Sequence, residues 1–197
     1  MRSLGFCVAG LLILSFSGCG EINIIEQQTQ EELLDIDLGI IEEYRIEEGI
    51  TFEVDTVAYP IQYQILDEGT GKEIHYQDII FCDYILKLTD GEIFHTSIDS
   101  VAKANDIYDE DINYKPAVFT HTETGWAVTP ILAQQQGSSA TYELGWKIGL
   151  TAALKKMNVG GHALIVSPSN YAYQSFNPFF IPDYSVVIYE VFIRNAK

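Results

Sequence analysis

The residues able to do covalent chemistry in this 197-residue chain are few and poorly spaced for it. The four histidines, His75, His95, His121 and His162, show no ligand spacing, so no metal is expected. Ser167-Pro168-Ser169 offers hydroxyls, but no His or Asp pattern follows to activate a nucleophile. Gly69-Thr70-Gly71 lacks the Lys and the helix start that a phosphate loop requires. Cys82 lies in Ile79-Ile80-Phe81-Cys82-Asp83-Tyr84-Ile85-Leu86, a strand-like run in which a thiol is expected to be buried and inert. No cofactor is expected from these residues.

The elements that must position any site fall into three stretches. Residues 1–18 read as an export signal: Arg2 supplies the positive end, Gly5 to Phe16 is almost uninterruptedly apolar, and no charge follows until Glu21. That run is shorter than the roughly 20 residues of a permanent bilayer span. It ends in Phe16-Ser17-Gly18-Cys19, which resembles the lipobox of bacterial lipoproteins, with Phe16 where Leu is usual. The resemblance implies a lipidated Cys19 as mature N-terminus and a place in the bacterial cell envelope, periplasmic or outer-membrane, with membrane contact through lipid alone. The other reading is an ordinary secretory signal with an incidental cysteine. With Cys7 lost and Cys19 acylated, only Cys82 remains, and no intramolecular disulfide can form.

Residues 19–58 form a tether and an acidic helix. Gly20 to Gln30 is polar, and Glu31 to Glu48 places Leu34, Leu38, Ile41 and Tyr44 on one helical face, with Gly49 as the stop. Twelve acids and one arginine lie between Gly20 and Ala58. The helix is read as an acidic docking helix or an export signal, or as a solvated helix packing its apolar face on the domain. From Tyr59 the period becomes that of strands: Ile61 to Leu66 alternates, Asp67 to Gly71 is a turn, and Ile79 to Leu88 is a second strand closed by Thr89-Asp90-Gly91. One helix, around Leu150 to Met157, precedes strands at Ala163 to Val166 and Val186 to Ile193. This is an α+β pattern, an antiparallel sheet wrapped over a short helix. The chain carries 28 acids against 11 bases, a net charge of −17, which argues against a nucleic-acid partner. A 47% hydrophobic share is that of a packed protein with a solvated acidic surface.

Over residues 59–197 the motifs resemble, in order, those of the FKBP-type peptidyl-prolyl isomerases, specifically a lipoprotein branch with an N-terminal helical extension common in Bacteroidetes. Tyr63 to Gly71 is similar to the opening strand and Gly-rich turn, and Asp83 to Phe94 to the strand and hairpin entering the active site. Met157-Asn158-Val159-Gly160-Gly161-His162-Ala163 resembles the turn after the helix, Pro168 to Tyr173 the loop with the pocket tyrosine, and Ile181-Pro182 with Val186 to Ile193 the closing segment. The resemblance implies an FKBP-like fold and rotation about X-Pro bonds, which breaks no covalent bond and needs aromatic surface and fixed donors instead of titratable pairs.

By the same resemblance Tyr84, Phe94, Tyr173, Ile181 and Tyr189 are pocket positions, and Phe119 in Pro116-Ala117-Val118-Phe119 is a second wall. The floor is Trp146, in Gly145-Trp146-Lys147-Ile148-Gly149-Leu150, if the helix carries about one extra turn before Met157; otherwise it is Leu150. Three positions depart from the family: His95 stands where Asp is usual, Ala117 replaces an aromatic, and Gln174 replaces the glycine after the pocket tyrosine. His95, Ala117 and Leu150 are thus expected at the substrate. Thr96 to Ala140 is a long insert, read as a lid, a partner-binding flap or a mobile loop. Two functional classes follow: an envelope isomerase or folding factor for proline-containing exported polypeptides, or a catalytically impaired binding module of a surface or motility-linked assembly. A monomer is expected.

Overall fold

A computed structural model describes residues 29–53, 58–75, 77–122, 125–128, 144–175 and 180–197; side chains of 121, 122, 125–128 and 144 are not included. Cys19, the export signal, most of the tether and the polar run at 134–139 lie outside the described residues.

The first helix, α1 (Gln30–Glu47), begins one residue before the expected start. Thr29 caps it by accepting from Glu32 N, while Glu32 accepts from Thr29 N, a reciprocal box that satisfies two orphan donors. Its C-terminal end is followed by Gly49 at φ +65°, in the left-handed region. Ile41 and Tyr44 are buried as the spacing predicts, whereas Leu34 and Leu38 are only half-buried and Asp37 is buried between them.

Seven strands follow among the described residues: β1 (Gln62–Asp67), β2 (Ile79–Lys87), β3 (Ile93–Thr96), β4 (Ala117–Thr122), β5 (Gly125–Val128), β6 (His162–Ser167) and β7 (Val187–Ala196). They form one antiparallel sheet in the order β1-β6-β7-β2-β4-β5, with β3 pairing the far end of β2. The expected α+β fold is therefore the observed one. Strand β2 alternates, burying Ile80, Cys82, Tyr84 and Leu86 on one face. By contrast β6 is buried on both faces, which is why Ala163 to Val166 reads as an unbroken apolar run.

Each face of β6 and β7 has its own helix. On one side, α3 (Leu144–Leu154) packs against β1 and β6 over a core that includes Tyr63, Ile165, Tyr189 and Val191. On the other, Ile41 and Tyr44 of α1 meet Leu164, Val166, Val186 and Ile188. The sequence placed the central helix at Leu150 to Met157; it lies one to two turns earlier, ending at Leu154. Lys156 N already reaches back to Ala153 O, a tightened last turn, and Met157 belongs to the connection to β6. The sequence also assigned a single helix to the sheet region, whereas the Thr96 to Ala140 stretch contributes a second, α2 (Asp99–Ala104), and the two strands β4 and β5. Among the described residues no helix is long and apolar enough to cross a membrane.

Turn geometry ties the outer strand down. Asp67 accepts from Gly69 N at 2.8 Å, and Gly69 sits at φ +79° with its Cα against Asn158 to Gly161. A side chain there would overlap that backbone, so the turn demands glycine twice over.

Candidate functional site

Tyr84 is fixed by its backbone before its ring meets anything. Its N–H donates to Ser97 Oγ at 3.0 Å, and its carbonyl accepts from Thr96 Oγ1 at 2.7 Å and Ser97 N at 3.1 Å. Ser97 Oγ in turn donates to Asp83, whose other oxygen accepts from Arg194 Nε. The end of β3 thus clamps the middle of β2.

Ring contacts radiate from there. Tyr84 meets the edge of Trp146 at 6.0 Å, and Trp146 packs against Phe119 at 5.9 Å and Tyr189 at 5.3 Å. Trp146 is 0% exposed, and its Nε1 has no hydrogen-bond partner among the described residues. Phe94 meets Tyr173 edge to face at 6.3 Å. His95 stacks parallel on Tyr84 at 5.7 Å.

A cleft of about 990 Å³ opens over this layer. Tyr84, Phe94, His95 and Ile181 line one side. Trp146, Phe119, Tyr189 and Leu150 are buried behind it, and Tyr173 reaches it through Phe94. Ala117 is buried opposite Cys82 in the β2–β4 register, within the core. Trp146 and Leu150 occupy one face of α3 a turn apart, and it is Trp146 whose ring touches Tyr84.

The lining contributed by the insert was not read from the sequence. Ala102, Ile107, Ile112 and Tyr114 supply it, with Asp109, Asp111 and Lys115 adding charge and Glu92 joining them from the turn before β3. The segment holds itself together: Tyr114 stacks on Tyr108 at 5.3 Å and accepts from Asp109 N, and Lys103 lies over the Tyr108 ring. Its signal was the Tyr-Ile-Tyr density of Ile107 to Tyr114 inside an otherwise polar stretch. Phe180 stands at the lip, 94% exposed.

The loop carrying Tyr173 includes a single-turn 3-10 helix, Ser169–Tyr171. Ser169 N and Oγ both donate to the buried Asp37 carboxylate, each at 2.7 Å. Burial pushes the Asp37 carboxyl above its ordinary value, and the two Ser169 donors pull the other way. Burial likewise pushes the Cys82 thiol up, so it stays protonated and inert, as a buried cysteine should. Among the described residues no group of three His, Cys, Asp or Glu could hold a metal.

Residues 71–194 match the sequence pattern of the FKBP-type peptidyl-prolyl cis-trans isomerases, well over half of the chain. The chain belongs to that family. Among curated proteins none matches it in sequence. It is similar to the solved structure of FkpA from Escherichia coli, at 19% identity and TM-score 0.48, covering 85% of this chain and 64% of that one. A peptidyl-prolyl cis-trans isomerase from Pseudomonas syringae is similar at 18% identity and TM-score 0.49, covering 87% and 98%. A multi-domain immunophilin from Arabidopsis thaliana gives 18% and 0.47, covering 75% and 45%.

Two of the positions expected from the sequence to depart from the family now have a geometry. His95 is a ring stacked on Tyr84 in the cleft wall. Gln174 holds a left-handed backbone, at φ +52°, and its side chain donates to Asn170 O.

Proposed function

We propose that this protein is a lipid-anchored peptidyl-prolyl cis-trans isomerase of the bacterial cell envelope, acting on X-Pro bonds of exported polypeptides. The observation that carries the catalytic part is the cleft wall, where Tyr84, Phe94 and Ile181 present apolar surface to an open cavity with the Trp146 cluster packed behind. Amide resonance sets a barrier of about 18–20 kcal/mol to rotation of a peptide bond. A proline ring seated against these side chains strips water from the preceding carbonyl, which disfavours the charge-separated resonance form and lowers the cost of twisting. Tyr173 braces Phe94 from the side, while Tyr189, Phe119 and Leu150 support the wall from beneath. His95 and the lining from Ala102 to Lys115 shape which flanking residues fit, while Ala117 is packed in the core away from the cleft lining.

Anchoring rests on the apolar Gly5 to Phe16 run and on Phe16-Ser17-Gly18-Cys19. Exported clients follow from that location, and the net charge of −17 argues against nucleic acid. We take the protein as a monomer.

The test is the cis-to-trans rate of an X-Pro peptide with purified protein. Acceleration that falls roughly tenfold in Tyr173→Ala is expected, since the substitution removes the edge-to-face contact on Phe94. A well-folded protein without acceleration would overturn the isomerase reading and leave a binding module. Incorporation of labelled palmitate that vanishes in Cys19→Ser tests the anchor, and an unlabelled parent protein refutes it.

A further inference from the structure

We propose that Asp37 is a positioning residue for the pocket, holding the Pro168 to Gln174 loop and with it Tyr173 in the conformation that meets Phe94. The acidic helix α1 is then part of the binding apparatus and not a spacer. This rests on the cleft being the proline site.

Asp37 is 2% exposed on the face of α1 that packs on the domain. An ionised carboxylate in such a place is costly unless hydrogen-bonded, and an apolar residue would dock the helix as Ile41 and Tyr44 do. What the acid supplies is an acceptor for two donors of one residue, Ser169 N and Ser169 Oγ. Without it a buried backbone N–H would go unsatisfied.

Ser169 is the hub of the loop. Its carbonyl accepts from Ala172 N at 3.1 Å and Gln174 N at 3.2 Å. Gln174 donates from its side chain to Asn170 O, and its carbonyl accepts from Tyr184 N at 2.8 Å, which ties in the segment bearing Ile181. The chain of contacts runs from Asp37 through Ser169 and Gln174 to both sides of Tyr173. Gln174 holds a left-handed backbone that a non-glycine residue adopts only when its surroundings enforce it. Once Asp37 is removed, the loop visits its ordered form only part of the time, and apparent substrate affinity falls by that fraction.

Turnover of an X-Pro peptide and amide hydrogen exchange are measured on the whole protein, on Asp37→Ala, on Asp37→Asn, which keeps an acceptor, and on Ser169→Ala, which removes one of the two donors. For Asp37→Ala we expect KM to rise about tenfold and the amides of residues 169, 172 and 174 to exchange at least about tenfold faster, while those of Tyr84 and Tyr189 are unchanged. Asp37→Asn stays within about twofold of the parent, and Ser169→Ala falls between. A purely structural role would lower the active fraction and leave KM alone. Loop exchange unaltered in Asp37→Ala, exchange accelerated equally throughout, or an unchanged KM in an active enzyme would overturn the proposal. A parent protein without turnover but with the expected exchange pattern would sink the isomerase reading and leave the clamp standing.

Discussion

Gln174, expected from the sequence to depart from the family pattern, sits in a strained backbone that its own loop supports. Left-handed backbone costs a non-glycine residue about 1–2 kcal/mol, and here a side-chain bond to Asn170 O and backbone bonds to Ser169 and Tyr184 offset it. Gln174→Ala keeps the strain and loses the side-chain bond, so it is expected to unfold at lower urea than the parent. Gln174→Gly should be more stable than Gln174→Ala by about 1 kcal/mol in the same titration, and equal stability would show the backbone to be unstrained there. Nothing in the sequence distinguishes a glutamine that fills a pocket from one that folds back on its own loop. The residue types were legible, and the rotamers that decide their roles depend on neighbours from distant segments. His95 is the same case: an expected departure at the site, whose stacking on Tyr84 follows from the β2–β3 pairing.

At the scale of elements, α3 is set by a close approach to the sheet. Gly149 lies in the helix interior, where alanine normally gains up to about 1 kcal/mol. Here a Cβ would overlap Ile165 Cγ2 and crowd Ile61, so Gly149→Ala is expected to destabilise by about 1–3 kcal/mol despite the better propensity. Thermal unfolding decides the sign, and a rise in Tm would mean that α3 can move off β6. The same closeness explains why the helix position was misread. Apolar spacing is satisfied almost anywhere between Trp146 and Met157, whereas the contact of Trp146 with Tyr84, Phe119 and Tyr189 selects one register. The starts of β1, β2, β6 and β7 were read within a residue because alternation and turn residues are local signals, whereas β7 runs three residues past the expected Ile193 and β4 and β5 were not read as strands. The cleft lining from Ile107 to Lys115 was missed because that segment has no period to detect; its order comes from Tyr108–Tyr114 stacking and the Lys103 contact.

At the scale of the whole molecule, β6 and β7 are covered on both faces, and Asp37 joins the outer helix to the loop at the cleft. That joint makes stability depend on pH. Because burial raises the Asp37 carboxyl above its ordinary value of 3.8, its contribution is fully present below that value and is lost as pH rises through the raised native one. The parent should therefore lose stability relative to Asp37→Asn as pH climbs from about 3.8, with the gap constant once the native carboxyl is fully ionised. Urea unfolding of both proteins across that range measures it, and a gap that widens toward acid would reverse the assignment. Asp37 was not singled out in the sequence, where it is one of many acids on a helix read by its apolar spacing, and its partner 132 positions away was not legible. The sequence by itself determined the acidic surface, the α+β class, the order of motifs and the set of aromatic side chains, since composition, period and spacing are properties of the chain alone. Only the tertiary structure decided which aromatics face the cleft and which lie behind it, which helix covers which face, and why Asp37 is buried. Those depend on contacts between segments far apart in sequence, whose geometry no local pattern encodes.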